Sequence, residues 1–294
     1  MNSRISIAFV AGLMTLPALA DQDVDRTLDA SPDGTVEISN VAGSIEVSGW
    51  SQNSVRVQGT LGDDVEELIF ERDGDEVLIK VKVPRNHGRD IESDLVINVP
   101  AQSSLDISGV SADIDVDGVA GEQSLATVSG DVVTKAVAMD VEAASVSGDV
   151  EVSGVGADAE TEAATVSGDV TLSGVAGSVE AASVSGDVSV VNGSFERAYL
   201  ESVNGDLLYE AELRAGGRLG MESVNGTVEV EFRNEISARF DIETFNGSIK
   251  NCFGPKPERT SRYSPGLELS FTHGDGDGRV EIETLNGSVR ICNK

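Results

Sequence analysis

Along most of this chain apolar and polar residues alternate in short bursts, and glycines punctuate the bursts at nearly constant intervals. Gly130, Gly148, Gly168, Gly186, Gly205, Gly226, Gly247 and Gly287 are separated by 18, 20, 18, 19, 21, 21 and 40 residues, the last step being about two ordinary ones. Each glycine sits in a variant of the phrase Thr127-Val128-Ser129-Gly130-Asp131-Val132. An apolar residue stands five positions before it (Leu125, Ala143, Ala163, Ala181, Leu200, Met221, Ile242, Ile282). Another stands two after it (Val132, Val150, Val170, Val188, Leu207, Val228, Ile249, Val289). A third row, Val128, Val146, Val166, Val184, Val203, Val224, Phe245 and Leu285, is expected to share their buried side. Apolar rows on both sides of the glycine predict two short strands with one buried face. Ser-Gly or Asn-Gly between them predicts a tight turn in which glycine supplies a positive φ.

A second turn signal falls about halfway between these glycines, as Gly118-Val119-Ala120-Gly121, Gly154-Val155-Gly156-Ala157 and Gly174-Val175-Ala176-Gly177. Each repeat thus supplies two strands and two turns, and a fixed period near 20 residues marks stacked supersecondary units. Two assemblies fit this: a β-solenoid whose strands pair in parallel with their copies one repeat on, or an antiparallel β meander or β-prism. Asn-Gly at 225–226 and 246–247 favours hairpins and so the meander. Strand count favours the solenoid, because a meander would need about 16 strands with an uncovered apolar face, and open sheets rarely exceed about 10. The expected fold is therefore all-β, a β-solenoid of about 18–21-residue repeats.

The repeats are of two kinds. Copies at Gly130 to Gly186 carry Ala126, Ala144, Ala164 or Ala182 four positions before the glycine and serine just before it. Copies from Gly205 onward carry Glu201, Glu222, Glu243 and Glu283, with Asn204, Asn225, Asn246 and Asn286 next to the glycine. Asparagines in register are expected to hydrogen-bond along the stack. Residues 21–107 read as an N-terminal β-rich cap, since repeat arrays need covered ends. Within it Glu71–Val77 around Asp73-Gly74 is a predicted hairpin. A weak copy at Val110–Ile114, with Ala112 in the glycine place, starts a repeat region over 108–294, with a loop insertion at about 253–279.

Residues 1–20 carry Arg4, an apolar run from Ile5 to Leu16 and Ala18-Leu19-Ala20 ahead of Asp21, the pattern of a secretory signal peptide. The run is too short to span a bilayer, no later stretch approaches the roughly 20 apolar residues needed, and Asp21, not a cysteine, directly follows the cleavage site, so no lipid acceptor is expected there. The expected location is exported, periplasmic or extracellular at the cell surface. With 51 Asp+Glu against 21 Lys+Arg, the net charge of −30 argues against nucleic acid and anionic membranes as partners. It leaves a cationic peptide or calcium open, while its first role is solubility.

Cys252 and Cys292 each lie five residues after a repeat glycine, and in an exported protein this spacing predicts a disulfide. The bridge needs α-carbons about 4.4–6.8 Å apart, so the two copies must be adjacent and residues 253–279 must loop out. Asp131, Asp149, Asp169, Asp187 and Asp206 follow their glycines and would stack as a row of carboxylates. They are weak candidates for a metal site beside Ser129, Ser147, Ser167 and Ser185, because calcium needs 6 to 8 oxygens and no closed set is visible. The preferred reading is a solvated turn row. His273-Gly274-Asp275-Gly276-Asp277-Gly278 matches no calcium-loop signature and predicts a turn. With only His87 and His273, both in predicted loops, and no HExxH or phosphate-cradling motif, neither catalytic residues nor a cofactor are expected.

Gly43-Ser44-Ile45-Glu46-Val47 leading to Gly49-Trp50, the hairpin through Asp73-Gly74, Asp94-Leu95-Val96-Ile97-Asn98-Val99-Pro100 and the Val-Ser-Gly-Asp-Val copies together resemble the bacterial putative-adhesin β-strand-repeat family, a domain class of unknown function. The resemblance covers most of the chain and brings no catalytic residues with it. It implies a non-enzymatic cell-envelope protein, an adhesin or a scaffold for an envelope or surface component. The alternatives are a soluble acidic sensor or decoy for cationic peptides or metal ions, and a polysaccharide-active β-helix enzyme.

Overall fold

β-Branched residues at every second position, broken by glycine every ten or so, give a chain with many short strands and nothing to nucleate a helix. The structure, a computed structural model, describes residues 22–85, 90–261 and 265–293. The leader expected at 1–20 and His87 lie outside them. Seven strands precede the regular repeats: β1 (Gln22–Asp29), β2 (Thr35–Trp50), β3 (Ser54–Leu61), β4 (Glu67–Asp73), β5 (Glu76–Lys82), β6 (Ser93–Pro100) and β7 (Ser104–Asp117). The next nine are β8 (Gln123–Ala126), β9 (Val132–Ala136), β10 (Val141–Ser145), β11 (Val150–Gly154), β12 (Asp158–Ser167), β13 (Val170–Ser173), β14 (Ala176–Ser185), β15 (Val188–Asn204) and β16 (Leu207–Asn225). The last seven are β17 (Val228–Phe232), β18 (Ala238–Asn246), β19 (Ile249–Asn251), β20 (Glu258–Arg259), β21 (Leu267–His273), β22 (Gly278–Asn286) and β23 (Val289–Asn293). All of them join one mixed sheet, and the described residues contain no helix.

Between repeats the ladders are parallel and in register. Ala143 pairs with Leu125 on one side and Ala163 on the other, and Val150 with Val132 and Val170. Strands along the chain therefore do not zigzag: β8 pairs with β10, and β9 with β11, as a meander would not allow. Each repeat is a layer of two strands, and the rows five before and two after the glycine face one shared core.

The row beginning at Val128 does not. Val128, Val146, Val166, Val184, Val224, Phe245 and Leu285 are exposed, correcting the expectation that they share the core. They stand three residues after the Leu125 row, and an odd spacing along an extended strand reverses the face. The inward position between them is taken by hydroxyls: Thr127, Ser145, Thr165, Ser183, Ser202 and Thr244 are buried. Each of these six donates its Oγ to the carbonyl at the glycine position of the neighbouring layer, at 2.9–3.0 Å, whereas Ser223 and Thr284, buried in the same row, have no partner for theirs among the described residues.

The repeat glycines also serve a purpose other than the one expected. Only Gly226 among them has a positive φ. What forbids a side chain is the next layer: a Cβ on Gly148 would lie 2.0 Å from the Gly130 carbonyl oxygen, and one on Gly186 1.9 Å from that of Gly168. Glycine here permits close approach of backbone to backbone.

At both ends the layers leave sequence order. Strand β2 lies between β7 on one side and β5 with β6 on the other, all parallel, so the chain lays down an inner layer, then an outer one, then returns. Antiparallel strands β4 and β3 close that outer layer, and β1 covers β3. Strands β4 and β5 are the hairpin through Asp73-Gly74. At the other end β22 pairs in parallel with both β16 and β18, and β23 with both β17 and β19. The Gly287 layer is thus inserted between those of Gly226 and Gly247. Between the Gly247 and Gly287 copies the chain carries β21, which runs antiparallel along β18, with the short β20 antiparallel outside it, and β22 begins at Gly278.

The core changes width along the stack. Ala143, Ala163 and Ala181 line it in the alanine-serine repeats. Further on, Phe195, Tyr209, Phe232, Phe240, Phe253 and Phe271 form a continuous run of ring contacts with centroids 4.5–6.5 Å apart. The buried Tyr209 hydroxyl donates to the Glu212 carbonyl at 3.0 Å.

Candidate interaction face

Rows of polar side chains stand on both sides of the glycines, and most of their groups bond within the stack. Asp131, Asp149, Asp169, Asp187 and Asp206 do form a row, and it begins one layer earlier at Asp113. The backbone N–H of each aspartate donates to the Oδ1 of the one before, from Asp131 onto Asp113 at 3.0 Å through to Asp206 onto Asp187 at 2.7 Å. Thr227 N–H, on Asp206 at 2.6 Å, ends the run. Like charges about 4.8 Å apart repel by nearly 1 kcal/mol in water, and a backbone donor set against each carboxylate offsets that cost. The row is therefore bonded rather than merely solvated, and the described residues contain no group of three or more carboxylate, His or Cys side chains able to hold a metal ion. Asp113 was legible in the weak copy at Val110–Ile114, where it follows Ala112 as the others follow glycine.

The asparagines make a second row. Asn225 Nδ2 donates to Asn204 Oδ1 at 2.9 Å, Asn286 to Asn225 at 3.0 Å and Asn246 to Asn286 at 3.0 Å. Their order, 204–225–286–246, repeats the layer order rather than the chain order. Cys252 and Cys292 form a disulfide between the two outermost of these layers, with α-carbons 4.9 Å apart. The Gly274–Asp277 turn is held by Ser237, whose Oγ accepts from the N–H groups of Asp275 and Gly276 at 2.9 and 3.1 Å. His273 lies edge-on to Phe253, with centroids 4.9 Å apart.

On the outward face of the same strands, rows of one residue type stand side by side. The apolar row runs Val110, Val128, Val146, Val166, Val184, Val203, Val224, Leu285 and Phe245 in layer order. Beside it lie Ala126, Ala144, Ala164 and Ala182, and then, where the repeats change kind, Glu201, Glu222, Glu283 and Glu243, paired across the strands in that order. The four glutamates are exposed, and among the described residues none of them forms an ion pair. Glutamates and apolar residues together line an open cleft of about 320 Å³, which takes in Glu201, Glu222, Glu243 and Glu283 with Val224, Phe245 and Leu285.

Next to it Tyr199 lies over Gly220, where a Cβ would come within 2.9 Å of the ring. Burial, helped by the Glu222 carboxylate that accepts its hydroxyl, pushes the Tyr199 phenol above its usual value. Sequence reasoning missed this face. The odd spacing of the Val128 row was the signal that could have found it.

No curated protein matches this sequence. Among solved structures, a putative adhesin from Bacteroides fragilis NCTC 9343 is similar at 9% identity and a TM-score of 0.47, over 93% of this chain and 98% of that one. A putative adhesin from Parabacteroides distasonis ATCC 8503 gives 10% identity and 0.45 over 92% and 98%, and a putative lipid binding protein from the same strain gives 13% and 0.43 over 92% and 96%. The Toastrack DUF4097 profile matches residues 23–174 and 75–292, which between them take in all the layers and both closing edges, and the chain belongs to that family.

Proposed function

We propose that this protein is an exported, non-enzymatic cell-envelope protein whose long β-face mediates adhesion or scaffolds other envelope components. Its parallel layers are read as turns of a β-solenoid of about 18–21 residues each, with residues 21–107 as the N-terminal cap. The observation that carries this reading is how the polar groups are spent. The aspartate and asparagine rows, and six of the eight buried hydroxyls, are bonded to the neighbouring layer, where they stabilise the stack instead of converging on a reacting atom. What the fold then offers is an extended, regular surface, and repeat proteins use such surfaces to bind.

The test is protease accessibility of the epitope-tagged protein on intact cells, compared with cells whose outer membrane has been opened. Digestion on intact cells is the outcome expected of an adhesin. Protection until the membrane is opened restricts the reading to a periplasmic scaffold, and a protein found only in the cytosolic fraction would overturn it.

A further inference from the structure

Twelve large apolar side chains are exposed among the described residues, and eight of them belong to the single row Val110, Val128, Val146, Val166, Val184, Val224, Leu285 and Phe245, each 37–51% exposed. With Val203 completing it, the row crosses nine layers, about 38 Å at about 4.8 Å per layer. Scattered exposed apolar residues are ordinary, but a contiguous strip of this length marks a surface that something covers. This chain closes its other liabilities: antiparallel strands cover the outer layers at both ends. Among the described residues the strip stays exposed along its length, with Thr260 and Gly266 beside its last layers.

Its surroundings restrict the occupant. Along the alanine-serine repeats the neighbouring row is Ala126, Ala144, Ala164 and Ala182, small enough for a partner to lie close. Along the later repeats it is Glu201, Glu222, Glu283 and Glu243, four carboxylates in register, none in an ion pair among the described residues, with Arg197 and Arg218 in the adjoining cleft beside Glu222 and Glu283. A second copy of a chain carrying a net charge of −30 would meet repulsion, as would an anionic bilayer.

We infer that the strip is a docking surface for an amphipathic helix of another protein, apolar along one face, with lysines or arginines flanking that face toward one end. A flat sheet face is covered most readily by a helix laid on it. At 1.5 Å per residue a helix of about 25 residues spans the strip. Its cationic flank would lie on the glutamate row, which sets polarity and register, while the apolar row supplies the contact area. The inference rests on reading the protein as an interaction surface, and it does not depend on which side of the outer membrane the surface lies.

The experiment measures binding of a labelled synthetic peptide of about 25 residues, a leucine-faced helix with lysines along one flank of its last three turns. The purified full chain is compared with Val146→Thr/Val166→Thr/Val184→Thr/Val224→Thr and with Glu222→Gln/Glu243→Gln/Glu283→Gln. All seven changes are on exposed positions, and threonine keeps the strand preference, so the fold is expected to survive. The apolar variant is expected to bind at least about tenfold more weakly, and the glutamine variant about tenfold more weakly with a flatter salt dependence. The peptide should gain helical circular dichroism on the wild-type protein.

Equal binding of a scrambled peptide of the same composition would overturn the inference by reducing the effect to net charge. So would full affinity in the threonine variant, or sedimentation showing that the wild-type chain, but not that variant, dimerises through the strip. Failure here leaves the envelope reading to the accessibility experiment, and failure there leaves this result standing.

Discussion

The middle of the molecule and its two ends solve the same stacking problem differently. In the alanine-serine repeats each layer follows its predecessor in the chain, and one aspartate carboxylate per layer bonds the next backbone. Any residue with a backbone N–H can take the place after the last aspartate, as Thr227 does. Toward the C-terminus the bond passes from side chain to side chain, Asn204 to Asn225 to Asn286 to Asn246, and needs an asparagine in every layer it crosses. The middle is thus modular and local. The ends are joined by long-range returns of the chain, and their order is held by partners far apart in sequence.

That contrast is open to direct attack. Deleting Asp169–Gly186 removes one ordinary layer and leaves neighbours of the same kind to re-pair, so cooperative unfolding should persist with a modest loss in Tm. Deleting residues 278–294, a segment of similar length, takes out a layer with neighbours on both sides and the buried side chains of Val280, Ile282, Val289 and Ile291. It should cost about 6–12 kcal/mol from those four alone and abolish amide-exchange protection in β16 to β21. Equal effects of the two deletions would erase the distinction between middle and end.

A smaller effect sharpens the same line. Replacing both Cys252 and Cys292 with serine opens a loop of about 41 residues, worth about 4 kcal/mol in the chain-entropy picture. Denaturant unfolding should show this loss, with exchange protection falling first in β19 and β23 while the alanine-serine layers stay as they were. The smallest test compares the two turn chemistries. Asn225→Ala breaks a bond on each side and should cost about 1–2 kcal/mol, whereas Asp169→Ala breaks one and also relieves a repulsion, for less than about 1 kcal/mol. Chemical denaturation of the two single variants decides it, and a costlier aspartate would reverse the assignment of roles.

Much of this was legible from residue spacing. The period located every layer from Gly130 on, and the shared place of the two cysteines required the Gly247 and Gly287 copies to be neighbours. The side each row faces was legible too, but only by strict parity: Val128 is an odd number of positions from Leu125 and so cannot share its face. The reason for glycine was not legible. A turn and a close backbone approach demand the same residue, and only the distance between layers separates them. The returns of the chain were not legible either, since β22 carries the same pattern wherever it is inserted. The step of 40 residues before Gly287 hinted at an excursion without saying on which side of the Gly247 layer it ended. The outward face escaped because an apolar row was assumed to be a core row.

The inserted last layer also bears on how such a molecule can change its length. Neither outer layer accepts another copy by simple stacking. The final repeat is held between two others, and the outer layers are sealed by strands running the opposite way. A tandem duplication at either end would have to displace a closing strand or unthread an internal one. In the alanine-serine middle a duplicated unit needs only a neighbour like itself above and below. Lineages that lengthen or shorten this array are therefore expected to do so from the centre outward, keeping both ends as fixed fittings.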